Sequence, residues 1–482
     1  MIVNWRKMIP ELPRRRVLVI SDRYPPKPNG GAELSLHLML SSSQRKDEIL
    51  VVTFDETITS GSLYQIDGID VLKLPTQAPW PVHSIPFAKY LTLQTSKTKW
   101  LSFLRLAWIT SVYIFLARPL RIQIRSLAFD VRFLRKGKVA QILDFDEYRT
   151  GLARRLVHRV VKQVQPEIVH ADNFRSIMIA HDLPRRGRRV IGVVRDNRFH
   201  CVRDDQSMLV NNRICGLCDV ECSEGIGKVP ESRRLLMRRS REFRQNALRS
   251  MNRIVVTSSF LHNQISQFIN QAKLVRIANG VDRLQMVSEA INGVAEMPGM
   301  NILVVGMLND GKGQIELVRR LPTLIERIPD LKLHFAGRGD ATMHQIETTA
   351  ASLGVSDRIV LHGYLGRAAL FELYAGVQIV ALPTVWPEPF GRVPLEAGLA
   401  RKPVVAYRVG GLAETIIDDK TGVLVPHLNI RAFIDALGEL ANNPKRRHRL
   451  GTEAAKHVLA HYDGTRLAKA LFDLWEIEIS KL

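Results

Sequence analysis

The chain has 482 residues, 46% of them hydrophobic and 24% charged, which excludes a disordered chain and is too long for one ordinary core, so two domains are expected. Its 69 Lys and Arg against 47 Asp and Glu leave a net charge of +22, a field that attracts nucleic acid, an anionic membrane face or phosphorylated small molecules. No run reaches the ~18 apolar residues of a membrane span; the longest, at 106–117, is too short and the start shows no secretory pattern, so a cytoplasmic protein is expected.

In chain order, the β-branched run RVLVIS (16–21) predicts a buried parallel strand, followed by the turn-rich loop DRYPPKPNGG and a helix over AELSLHLMLSSSQ. Further strands are expected at 49–54, 168–171, 190–194 and 253–258, with helical patterns between several of them. The pattern restarts at NILVVG (301–306) and continues at 331–337, 358–363, 377–383 and 403–407. This alternation predicts two similar doubly wound α/β domains, joined within 279–298, with a ligand cleft at the carboxyl ends of both sets of strands. The end, RLAKALFDLWEIEI, reads as an amphipathic helix.

Two basic segments stand out. Between Lys97 and Lys138, ten Lys and Arg face a single acid, Asp130, with Trp100, Phe103, Trp108, Tyr113, Phe115, Phe129 and Phe133 interleaved. Such a segment either lies in an anionic membrane interface or packs its apolar face on the first domain. The run from Arg233 to Arg253 reads as a solvated helix face.

PTVWPEPFGRVPLE (383–396) carries two glutamates around a Phe-Gly turn. Pro394 suits the first turn of a helix, which places Glu396 near the positive end of the helix dipole. The backbone N–H groups of Phe390, Gly391 and Arg392 then fall at the loop-to-helix junction, where they can lack intrahelical partners. Glu388 leaves the preceding strand. Two carboxylates bracketing several donors suit a polyhydroxylated ligand; a helix cap and a solvated loop residue are the plain alternatives.

The wider string, LPTVWPEPFGRVPLEAGLARKPVVAYRVGGLAETIIDDKTGVLV (382–425), closely resembles the donor-binding region of retaining GT-B glycosyltransferases of family four, in which two such glutamates mark the nucleotide-sugar site. NGGAE (29–33), YQIDGIDVLKLP (64–75), QPEIVHADN (165–173), IANGVD (277–282) and GKG (311–313) resemble the family in the same order. The resemblance implies an acceptor-binding domain over 1–285, a nucleotide-sugar domain over 296–460 and a helix over 461–482 that packs back across the cleft. It implies that Glu396 holds the ribose hydroxyls and Glu388 the transferred sugar. Lys312, in the Gly306–Gly313 turn, would meet the diphosphate, and Gly30 and Gly31 would face the donor from the first domain. The donor would be UDP- or GDP-linked, with no catalytic metal. The acceptor would be a glycan or lipid-linked saccharide of the cell envelope or an exopolysaccharide, at the inner membrane face.

Two positions depart from the family pattern. Met307 stands where an arginine usually contacts the phosphates, with Arg338 and Arg392 as substitutes. Asp172 stands where many relatives carry a second histidine after His170, and is expected with His170 near the reacting sugar, orienting the acceptor hydroxyl or stabilising ring charge; the pair can also simply end a strand. Separately, Cys201, Cys215, Cys218 and Cys222 cluster in the loop 195–225, with His200 as a spare ligand. Their spacing fits a structural zinc site or a set of reduced thiols, and Arg195 and Asp196 lead into this loop toward the cleft. A basic nucleic-acid-binding protein and an inactive sugar-nucleotide-binding homologue are the competing classes. No nucleic-acid motif is recognisable, and nucleic acid is not the expected partner.

Overall fold

The structure, a computed structural model, describes residues 9–26, 30–55, 57, 58, 60–75, 145–201, 209, 210, 213, 214, 231–281 and 294–482. The basic aromatic segment 97–138 lies outside the described residues, as do Cys215, Cys218 and Cys222. Among the described residues, no helix is long and apolar enough to cross a membrane.

The first domain is built on β1 (Val17–Ser21), β2 (Ile49–Asp55), β3 (Ser62–Ile66), β4 (Ile69–Pro75), β5 (Ile168–Asp172), β6 (Arg189–Val194), β9 (Arg253–Val256) and β10 (Leu274–Arg276), with a short separate hairpin of β7 (Leu209–Val210) and β8 (Arg213–Ile214). The main sheet runs β10-β9-β6-β5-β1-β2-β4-β3, parallel throughout except for β3 against β4. β1 and β5 are buried at every position, the condition under which a strand reads as a continuous apolar run. β3 and β4 are not among the predicted strands. β3 is an edge strand with mostly exposed side chains, so it lacks the apolar signal; the local signal is the Asp67-Gly68 turn, both residues at positive φ, which suits a tight hairpin.

The second domain carries β11 (Met300–Val305), β12 (Leu331–Ala336), β13 (Ile359–Gly363), β14 (Ile379–Leu382), β15 (Val404–Tyr407) and β16 (Gly422–Val425), ordered β13-β12-β11-β14-β15-β16 and all parallel. The order reverses between β11 and β14. In the first sheet β1 lies between β2 and β5, so the equivalent crevice opens at the carboxyl ends of β1 and β5. Open parallel sheets bind ligands at such points.

The final helix, Gly464–Ile479, follows the second domain's helix Pro444–His461 but packs on the first domain. Ala468, Leu471, Leu474 and Trp475 join a core with Val17, Val19, Leu36 and Ile168. Its fully buried Glu478 pairs with Arg189 (2.8 Å), Arg253 (2.9 Å) and Lys481 (2.5 Å). Burial alone would raise the Glu478 carboxyl, but these hydrogen-bonded cations hold it down at about 2. Nearby, Glu476 takes Arg16 and Arg45 at 2.7 and 3.0 Å.

Candidate active site

At the second sheet's switch point, β11 exits into 306–313 and β14 into 383–392. The two loops are stitched together: the Val385 and Trp386 N–H groups both donate to the Gly311 carbonyl, at 3.0 and 3.2 Å. Gly313 sits at φ +70°, and a Cβ there would collide with the Pro383 carbonyl oxygen. Only glycine lets the lysine turn lie this close to the second loop.

Lys312 is thereby brought to Glu388. Its Nζ pairs with Glu388 Oε2 and sits 4.9 Å from the centre of the Trp386 ring, while Trp386 Nε1 donates to the same oxygen at 2.9 Å. The two charged side chains keep 17% and 21% of their surface.

Eight residues on, Glu396 lies in the first turn of the helix Val393–Leu399, whose early Pro394 is as expected. The Tyr374 hydroxyl donates to Glu396 Oε2 at 3.2 Å, and Arg392 Nε donates to Oε1 at 3.3 Å. Burial, then the Glu396 charge, pushes the Tyr374 phenol well above its ordinary range, so it remains a donor. Arg392 also reaches across the cleft, where Nη1 donates to the Gly31 carbonyl at 2.9 Å and to Ser35 Oγ. A Cβ on Gly31 would collide with the Arg392 side chain, so this glycine makes room for a cross-domain arm. Gly30 precedes it in extended backbone as the cap of the helix Gly31–Ser41.

The expected glycine-rich and phosphate-facing positions fall around this centre. Gly306 is at φ +138° with open space where a side chain would begin. Gly391 is at φ +85°, and a Cβ there would sit 2.6 Å from Leu412. Phe390 is buried against Tyr462, with ring centres 5.8 Å apart. Among the described residues, the Phe390, Gly391 and Arg392 N–H groups meet no acceptor. Met307 is 64% exposed. Of its substitutes, Arg338 is near, since its carbonyl accepts from Leu308 N–H at 2.7 Å, but its guanidinium stacks on Tyr364 at 4.1 Å. Arg392 is held by the cross-domain arm.

The first domain departs from expectation. His170 and Asp172 end β5 side by side with β1, but they are 1% and 0% exposed. Asp172 Oδ1 accepts from Arg195 Nε at 2.8 Å and lies 3.7 Å from His170 Nε2. Trp475 of the final helix donates to His170 Nδ1 at 3.4 Å. Burial would raise the Asp172 carboxyl, but Arg195 and His170 outweigh it and hold it below its ordinary value. Both residues are expected near the reacting sugar; in the structure their side chains are buried and held by Arg195 and by Trp475 of the final helix. Asp196 accepts from Arg198 N–H at 3.0 Å, and burial raises its carboxyl.

Sequence reasoning missed Trp386, Tyr374, Ser35 and Glu33. Glu33, two residues after Gly31, is raised by burial and by Asp172 against the pull of Arg195 and Arg23. Its signal was present in NGGAE, as was that of Trp386, two residues before Glu388. Tyr374 and Ser35 carry no local signal because helix packing brings them in.

For the cysteines, Cys201 is buried. Among the described residues, no group of three or more His, Cys, Asp or Glu is placed to hold a metal ion. The other three cysteines of the expected zinc set lie outside the described residues.

Further ties close the domains on each other. Asn197 donates to the Pro387 carbonyl at 3.0 Å, Ser258 to the Pro389 carbonyl, and the Ser259 and Phe260 N–H groups to the Glu414 carboxylate at 2.8 Å each.

Residues 295–457, about a third of the chain, match the family described as Glycosyl transferases group 1. An uncharacterised glycosyltransferase of Methanocaldococcus jannaschii is 30% identical over 241 residues, or 48% of this chain and 61% of that protein. A GDP-mannose-dependent alpha-(1-6)-phosphatidylinositol monomannoside mannosyltransferase of Mycolicibacterium smegmatis is 31% identical over 222 residues, 43% of this chain and 58% of that one. The chain therefore spans about three fifths of the length of these relatives. In fold, sucrose-phosphate synthase of Thermosynechococcus elongatus matches over 97% of this chain and all of its own, with TM-score 0.65 at 16% identity. The protein thus has the two-domain GT-B fold, with a second domain that matches the glycosyl transferases group 1 family.

Proposed function

We propose that the protein is a retaining glycosyltransferase that moves a sugar from a UDP- or GDP-linked donor to a glycan or lipid-linked saccharide acceptor in envelope or exopolysaccharide synthesis. The site would work at the cytoplasmic face of the membrane. The observation that carries the reading is the grouping of Lys312, Glu388, Arg392 and Glu396 at the second sheet's switch point. The mannosyltransferase relative, whose name specifies a GDP-linked sugar, supports the donor class.

On this reading the ligand-free pairs are placeholders. A diphosphate carries more negative charge than one carboxylate and draws Lys312 away from Glu388. The freed Glu388 accepts from the hydroxyls of the transferred sugar. Glu396 gives up Arg392 Nε to accept the ribose hydroxyls, while Tyr374 keeps its other oxygen fixed. Lys312 and the N–H groups at 390–392, which meet no acceptor among the described residues, then meet charge developing on the leaving diphosphate, where fixed donors contribute most. The acceptor hydroxyl attacks from the face that the diphosphate leaves, and a diphosphate oxygen takes its proton. Asp172, locked to Arg195, shapes the first-domain floor from below.

The test is a thermal-shift panel of nucleotide sugars on wild type, Glu396→Ala and Glu388→Gln. One donor class is expected to stabilise the wild type by about 2.7 kcal/mol at a hundredfold excess over Kd. Glu396→Ala is expected to weaken that donor at least about tenfold, or 1.4 kcal/mol. Glu388→Gln should bind it but turn it over far more slowly, at a rate still measurable. A wild type unmoved by every donor, yet stabilised by DNA or RNA in a salt-sensitive way, overturns the proposal.

A further inference from the structure

We infer that Trp386 is a positioning residue of the donor site, whose indole N–H and ring face keep Glu388 and Lys312 aimed once a donor has separated their ion pair. The inference rests on the glycosyltransferase reading above.

Glu388 Oε2 carries two partners, Lys312 Nζ and Trp386 Nε1, while among the described residues Oε1 meets no donor. When a diphosphate draws off the lysine, the indole N–H is the remaining hold on Oε2. It fixes the carboxylate plane and leaves Oε1 for a sugar hydroxyl. The same indole presents its face to Lys312 at 4.9 Å, inside the range at which a cation is attracted to a ring. The lysine can therefore shift toward a phosphate without being released to solvent.

The indole is itself anchored. Trp386 N–H is held by the Gly311 carbonyl, and the Val385 carbonyl hydrogen-bonds His427 Nε2 at 2.7 Å. The Gly311 α-carbon lies close beside the indole: a Cβ there would sit 3.6 Å from Trp386 Cγ. Moving the ring would open both loops. One side chain thus addresses the two groups that must separate on donor binding, a stronger demand than filling space.

The plain alternative is that Trp386 only packs the loop. Three variants of the full chain separate the two, assayed with whichever nucleotide sugar stabilises the wild type. Trp386→Phe keeps a ring under Lys312 and removes the N–H. It is expected to lower kcat about tenfold to a hundredfold, with donor KM changed less than about threefold, as misaim of a reacting group does. Trp386→Leu removes both and should also raise donor KM. In a Glu388→Ala background, Trp386→Phe should cost nothing further, because the carboxylate it aims is gone. The readout apart from turnover is tryptophan emission: donor binding should change it in the wild type and not in Trp386→Phe.

Wild-type kcat in Trp386→Phe, or an equal loss with and without Glu388, overturns this inference and leaves the functional reading intact. A wild type that neither binds nor turns over any nucleotide sugar overturns both.

Discussion

At the crevice of the first sheet, an aspartate and an arginine face each other with 1% and 7% of their side-chain surface exposed. At the crevice of the second, a lysine and a glutamate do the same with 17% and 21% exposed. The topology places both pairs at the carboxyl ends of parallel strands, yet their chemistry differs. A buried pair has no water to replace its partner and stays closed. A pair that keeps part of its surface in contact with solvent leaves a path by which water or a phosphate can take a partner's place. Equivalent positions in the fold thus hold one ion pair closed to solvent and one that keeps contact with it. Arg392 links the two by gripping Glu396 on one side and Gly31 and Ser35 on the other.

The largest effect should come from breaking the closed pair. Asp172→Ala takes from the buried Arg195 guanidinium its hydrogen-bonded carboxylate, leaving Asn279 as a partner and Glu33 nearby, and should cost about 3 kcal/mol. Lys312→Ala should cost no more than about 1 kcal/mol, while removing donor stabilisation. Thermal melts of the two variants, with and without donor, test the contrast. Equal melting temperatures for both ligand-free variants would mean that the two pairs do not differ as their burial implies.

The next effect concerns what holds the domains in one body. Glu478→Gln removes the charge that Arg189, Arg253 and Lys481 share on the final helix, and should cost about 1.5–3 kcal/mol at neutral pH. The pH dependence has a definite sign. The carboxyl falls from its usual 4.5 to about 2 on folding, so the unfolded chain binds its proton first as pH drops. The contribution is complete above about pH 5, shrinks as pH falls through 4.5, and is gone below about 2. The melting-temperature gap between wild type and Glu478→Gln should therefore narrow between pH 5 and pH 3. A gap that stays constant over this interval would show that packing, not charge, docks the helix.

The contrast also explains what could be read in the sequence. Parallel strands such as β1, β5 and β11 are covered on both faces and so write themselves as apolar runs. The pair Glu388 and Glu396 was legible because both sit on one continuous segment beside a proline-started helix. The cross-domain arm was not, since nothing near Gly31 indicates that an arginine 361 residues later lies against it. Burial was equally silent: VHADN reads the same whether Asp172 faces a cleft or lies beneath it. The deciding contacts, from Arg195 and from Trp475 of the final helix, come from other strands and from the far end of the chain.

A single backbone substitution beside the open site separates stability from donor affinity. Gly313 has φ +70°, which costs an L-residue about 1–2 kcal/mol, and a methyl group there would also press on the Pro383 carbonyl. Gly313→Ala can relieve that pressure by moving the lysine turn away from the loop that carries Trp386 and Glu388. That backbone strain, at the cap of the helix Gln314–Arg319, should lower the melting temperature by a few degrees. Lys312 would be displaced from the indole, and donor affinity should drop about tenfold or more, since a shift of an ångström at a positioned group has effects of that size. Gly306→Ala is the matching control: its φ of +138° is strained for a side chain, but open space surrounds the position. If the two variants lose the same donor affinity, backbone strain in the loop accounts for the loss. If Gly313→Ala loses far more, what matters is how closely the lysine turn approaches the loop bearing the glutamate.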